Sequence, residues 1–145
     1  MSQPKRAIVL YLLMHQPYRV NPFSLFDIGQ HSNYFAGAPD GDKRNNEFIF
    51  RRVAEKSYFP TLSLFEELTH THPDFKISLS LRKPLHEQLQ MWRQDILEII
   101  QRLVAKGACE IVGENYYHSL AFFYSRDEFE RQVEMHADKM REVFG

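Results

Sequence analysis

The sequence is short of several things, and each shortage excludes something. It has one cysteine, Cys109, so no disulfide framework exists within the chain, which fits a reducing compartment. It has almost no net charge: 18 Lys and Arg against 19 Asp and Glu give a formal value of -1. That offers no electrostatic footprint for nucleic acid or for an anionic membrane surface. It has no glycine-rich phosphate loop, no internal repeat and no low-complexity tract. Its first apolar run, residues 7–14, is far shorter than the roughly 20 residues a transmembrane helix requires. Lys5 and Arg6 precede that run, but no small-residue cleavage site follows it, so a buried strand is expected and not a signal peptide.

What the chain does have is the composition of one globular domain or part of a larger one: 43% hydrophobic and 26% charged over 145 residues. Aromatics are abundant, with twelve Phe, seven Tyr and one Trp. Such residues fill cores and also line sites for flat or sugar-like ligands.

Residues 7–14 are apolar without alternation, as a strand buried on both faces would be. Residues 17–46 are irregular and punctuated by Gly29, Gly37, Gly41, Pro22 and Pro39. A loop of that length in a compact domain is usually functional or disordered, and Tyr18, Phe23, Phe26, Tyr34 and Phe35 favour the first. Residues 47–71 show helical spacing with a break expected at Pro60. Residues 75–81 (FKISLSL) alternate as a strand, and Pro84 opens a helix that Gly107 should close. Residues 108–112 (ACEIV) form a third strand, with Cys109 expected in the core and not as a nucleophile. Ser125 and Glu128 carry the spacing of a capping box and start a last helix.

Strand and helix thus alternate three times, which predicts an α/β fold with parallel strands. Three strands cannot close a barrel. The chain is therefore expected to be the front part of a larger one, over residues 1–145.

Ligand sites in parallel α/β folds lie at the carboxyl ends of the strands. His15 and Gln16 end the first strand; Glu114, Asn115, Tyr116, Tyr117 and His118 follow the third. Both clusters are expected at one mouth. Their imidazole, amide, carboxylate and phenol groups suit sugar hydroxyls, with Trp92 as a further stacking face or a core residue. Two other readings stand beside this one. His15, Glu114 and His118 could supply three metal ligands, although no HExxH pattern is present. His70 and His72 form an HxH, but they lie near a helix end on the far side. Each polar residue could also serve only to tie loops together.

The two clusters carry a resemblance. HQPYR after the first strand and GENYYHSL after the third resemble the first two motifs of glycoside hydrolase family 57. The intervening NNEFIFRRVAEKSYFP and HPDFKISLSL, and the closing FERQVEMHADKMREVFG, are similar to α-amylase-like members. The resemblance implies an incomplete (β/α)7 barrel and a retaining hydrolase or transglycosylase acting on α-glucans in the cytoplasm. No cofactor is implied. His15, Gln16, Glu114, Tyr117 and His118 would bind substrate. No catalytic residue would lie in this chain, because the family's nucleophile and acid/base motifs belong to later strands. A metal-dependent polysaccharide deacetylase with a related barrel, or a non-catalytic carbohydrate-binding fragment, are the alternatives. One departure stands out: Leu81-Arg82-Lys83-Pro84 occupies a place where such relatives carry a glycine, so a basic pair is expected to reshape the mouth or touch substrate.

Overall fold

The computed structural model describes residues 8–30, 34–35 and 42–145. Three strands, β1 (Tyr11–Met14), β2 (Ile77–Leu81) and β3 (Cys109–Ile111), form one sheet in the order β1-β2-β3. Both pairings are parallel, with Tyr11 opposite Ser78 and Ile77 opposite Cys109. The helices are α1 (Asn46–Val53), α2 (Phe59–Thr71), α3 (Lys83–Trp92), α4 (Gln94–Ala105), α5 (Ala121–Tyr124) and α6 (Arg126–Phe144). Strands joined through helices in this way form the parallel α/β arrangement expected.

The core lies between the helices and one face of the sheet. β2 sends Ile77, Leu79 and Leu81 into it, where they meet Leu62, Leu85, Leu89, Ile96, Ile100 and Leu103. Burying each such side chain contributes about 1.5–3 kcal/mol.

β1 departs from expectation. The unbroken apolar run predicts burial on both faces, yet Ile8 is 98% exposed and Leu13 54%. β1 pairs only with β2, and among the described residues helices cover one of its faces, reached by Met14. Ala7, where the strand was expected to begin, lies outside the described residues, as do Gly37, Pro39 and Gly41 of the long loop.

Two helical details also differ. Pro60 does not break the helix. It sits in the first turn of α2, just after a π-helical segment, Ala54–Tyr58, where the Phe59 N–H reaches back to the Ala54 carbonyl. The helix changes its pairing near the proline and so continues past the missing N–H. Between Pro84 and Gly107 there are two helices in place of one. They are separated at Arg93 (φ -150°, ψ 61°), whose guanidinium grips Asp95 at 2.8 and 2.7 Å. Leu85, Leu89, Ile96, Ile100 and Leu103 keep one 3.6-residue rhythm across that break, so periodicity alone reads through it.

Gly107 has φ +68° and closes α4 as expected. Ser125 caps α6 by accepting from Glu128 N at 3.3 Å, but the Glu128 carboxylate turns to Arg131 and Gln132 instead of completing the box. Cys109 is buried in β3, and that burial pushes its thiol up to about 12, which makes it inert at neutral pH. Among the described residues no helix is long and apolar enough to cross a membrane.

Candidate substrate-binding cleft

The mouth is assembled at the carboxyl end of the sheet. His15 follows β1, Arg82 follows β2, and Glu114 to Ser119 follow β3. His15 and His118 meet there, with ring centroids 4.5 Å apart. Together with Tyr117 they line an open cleft of about 910 Å³. The cleft continues between the loop after β1, represented by Tyr18 and Phe35, and the flank of α3, represented by Lys83, Glu87, Met91 and Trp92.

Side chains from the helices fix the loop backbones. Tyr58, at the end of the π-helical segment, donates to the His15 carbonyl at 3.2 Å. Gln88, fully buried on α3, donates to the Gln16 carbonyl at 2.8 Å and to the Pro84 carbonyl at 2.9 Å. Asn46 holds Arg19 from both sides, accepting from its N–H at 2.7 Å and donating to its carbonyl at 3.1 Å. After β3, His118 has φ +57°, a left-handed conformation costly for a non-glycine residue. Buried Gln132 of α6 brackets it, accepting from Ser119 Oγ at 2.8 Å and from the Tyr117 N–H at 3.4 Å. Asn115 Nδ2 closes the loop on the Ser119 carbonyl at 2.7 Å.

Beside the cleft lies a charged knot. Arg82 Nε forms an ion pair with Glu114 Oε2, both side chains being about one-tenth exposed. Tyr11 donates to Glu114 Oε1 at 2.8 Å. Burial alone would raise the Glu114 carboxyl. The neighbouring Ser80 and Tyr11 hydroxyls and the Arg82 charge outweigh it and hold the group below the usual carboxylate range. His15 is pushed down by burial, with help from the His118 and Arg82 charges. Burial and Arg82 push His118 down as well. Both rings are therefore neutral at pH 7, each with one donor and one acceptor nitrogen, a set that suits hydroxyl recognition.

Of the residues predicted to bind substrate, the structure brings His15, Tyr117 and His118 to the cleft. Gln16 is 5% exposed and does not line it. Glu114 faces a separate shallow depression shared with Arg82 and Asn115. The basic pair divides its tasks. Arg82 turns inward to Glu114, while Lys83 lines the cleft with its ammonium 5.1 Å from the Tyr117 ring. Trp92 both packs on the core, 5.5 Å from Phe50, and lines the cleft. Among the described residues no group of three His, Cys, Asp or Glu side chains is placed to hold a metal ion. His70 and His72 lie at the end of α2, away from the cleft.

Sequence reasoning missed Tyr11, Tyr58, Gln88 and Gln132. Gln88 had a signal, since it shares the apolar face of α3 with Leu85 and Leu89. A polar residue within such a stripe must find a partner.

Comparison with known proteins decides the family. The sequence profile of Glycosyl hydrolase family 57 matches residues 9–145. The chain belongs to this family. A Methanocaldococcus jannaschii protein named "Putative alpha-amylase" is 35% identical over 133 residues, covering 91% of this chain and 27% of that protein. The 4-alpha-glucanotransferase of Thermococcus litoralis is 25% identical over 99 residues, covering 68% of this chain and 14% of that enzyme. In crystal form that glucanotransferase superposes with a TM-score of 0.61, covering 68% of this chain and 15% of its own. This family 57 chain thus spans about a quarter or less of the relatives it matches.

Proposed function

We propose that this chain is the N-terminal part of the catalytic barrel of a retaining α-glucan hydrolase or transglycosylase, of the α-amylase or 4-α-glucanotransferase type. It supplies part of the substrate-binding face, with His15, Tyr117 and His118 against the sugar, and acts in the cytoplasm. Gln16 and Glu114 complete the site from behind: Gln16 through its backbone, and Glu114 by setting the charge next to both imidazoles. A retaining mechanism needs two carboxyl groups roughly 5 Å apart. We assign these to later strands of a longer protein.

The observation that carries this reading is the His15–His118 ring pair at the strand-end cleft of a family 57 chain. We assign His15 a hydrogen bond to a glucose hydroxyl beside the scissile bond. Such a bond acts mainly in the transition state. In the full-length protein His15→Ala is expected to lower kcat/KM on maltooligosaccharides by roughly two to three orders of magnitude. The melting temperature should barely move, and a chelator should leave the rate unchanged. A lowered melting temperature with normal activity would make His15 a structural tie and defeat the assignment.

A further inference from the structure

Along the helical rod that follows the first loop, Asn46, Phe50, Ala54, Tyr58 and Leu62 recur at every fourth position. Four of them are buried, and Tyr58 is half-buried against the core. An α-helix turns about 100° per residue, so a strict spacing of four drifts by about 40° at each step. Between Asn46 and Tyr58 that drift would reach about 120°, and the two side chains would leave on different faces. The π-helical segment Ala54–Tyr58 removes most of it. Its bond from the Phe59 N–H to the Ala54 carbonyl takes up one residue more than an α-helical turn does, which leaves a drift of about 20°. Pro60 lets the pairing shift here, and the spacing decides what the shift achieves.

It achieves a two-point clamp. At one end Asn46 accepts from the Arg19 N–H at 2.7 Å and donates to the Arg19 carbonyl at 3.1 Å. At the other the Tyr58 hydroxyl donates to the His15 carbonyl at 3.2 Å. One face of one rod thus grips both ends of residues 15–19, the segment that brings His15, Pro17 and Tyr18 to the cleft. A carbonyl held at His15 fixes the direction in which its imidazole leaves the backbone, and that ring stands 4.5 Å from His118. π-helical turns are rare and frequently mark functional sites. We propose that Tyr58 is a positioning residue for the reaction, delivered to His15 by the π-helical turn. The inference rests on the α-glucan reading above and adds the group that aims His15.

The test uses the full-length protein. Tyr58→Phe removes one hydroxyl and keeps the ring beside Phe50. It should lower kcat on maltoheptaose about three- to tenfold, as the loss of one hydrogen bond does, with KM within about twofold and the melting temperature unchanged. Combined with His15→Ala, it should add nothing to the loss that His15→Ala already causes, because the two residues then act as one unit. An unchanged kcat, or a loss of equal size in the His15→Ala background, would make Tyr58 a support of the fold alone. Either result overturns the inference and leaves the α-glucan reading standing. A parent protein inactive on α-glucans, or a His15→Ala variant of normal activity, would overturn that reading and the inference with it.

Discussion

The two faces of the sheet are made from alternate residues of the same strands, yet they are held in place by different forces. On β2, Ile77, Leu79 and Leu81 enter the helix-covered core and are at most 3% exposed. Their neighbours Ser78 and Ser80 point the other way. There they join Tyr11, Glu110, Arg82 and Glu114 in a network of hydroxyls and charges. The first face is stabilised by non-directional burial. The second depends on pairing, and a pair broken there leaves a desolvated charge behind. Chemistry collects on the second kind of surface because its groups keep unused donor and acceptor capacity near the strand ends.

The sharpest way to break this contrast is to remove one member of the Arg82–Glu114 pair. Arg82→Ala strands a carboxylate about one-tenth exposed, and should cost about 3–5 kcal/mol in urea unfolding. Arg82→Met with Glu114→Gln removes both charges and should recover most of that loss. A single and a double variant of equal stability would show that the knot contributes by packing alone, and the two faces would then be alike.

Next in size is a direct comparison of adjacent residues. Leu79→Ala opens a cavity at a fully buried site and is expected to cost about 2–5 kcal/mol. Ser80 is equally buried, yet its Oγ rests against Glu114 without completing a well-directed hydrogen bond. Ser80→Ala should therefore change stability by no more than about 1 kcal/mol. Similar losses at both positions would mean that the serine face is also held by packing.

How much of this was legible beforehand follows the same division. The apolar face was readable because burial imposes a period, so FKISLSL and the stripe Leu85–Leu89–Ile96–Ile100–Leu103 gave strand and helix directly. The interruption at Arg93 was not readable, since a single residue outside the helical conformation leaves that period intact. The strand-end histidines were legible as polar groups ending an apolar run. Their supports were not. Gln132 lies 14 residues beyond His118 on a helix rich in charged residues, and only the fold shows that it turns inward. The inward path of Arg82 was equally hidden, because a basic pair expected to reshape the mouth or touch substrate does not say which of the two meets Glu114.

The bracket around His118 gives the third test. Gln132→Ala removes the acceptor for Ser119 Oγ and the Tyr117 N–H, and should cost about 1–3 kcal/mol in the same unfolding experiment. It should also let His118 leave its left-handed conformation, so ring-to-ring contacts between His15 and His118 in nuclear magnetic resonance spectra should weaken. Unchanged ring contacts would place the restraint in the Asn115 bond to the Ser119 carbonyl instead.

The smallest expected effect is the response to pH, and it again separates the two sides. His15 and His118 are pushed below the ordinary imidazole range at the mouth, and His86 is pushed down by burial among the helices. A group that titrates lower in the folded protein than in the unfolded chain draws protons to the unfolded chain first. Its contribution is complete above the unfolded value, about 6.5, and is lost as the pH falls from there through the folded value. Melting temperature should therefore fall as the pH drops below about 6.5, before the carboxylates are protonated. The groups facing the two mouth imidazoles are Arg82, whose charge deepens the depression of both, and Glu114, which opposes it. Removing Glu114 with Glu114→Gln should push both imidazoles lower still and steepen the loss near the mouth, while His86 is unaffected. His118 is exposed, so solvent screens its share and His15 should dominate. His15→Gln should flatten the pH dependence more than His118→Gln does. If His86→Gln alone removed the whole slope, the acid sensitivity would belong to the helical layer and the mouth would titrate as ordinary surface.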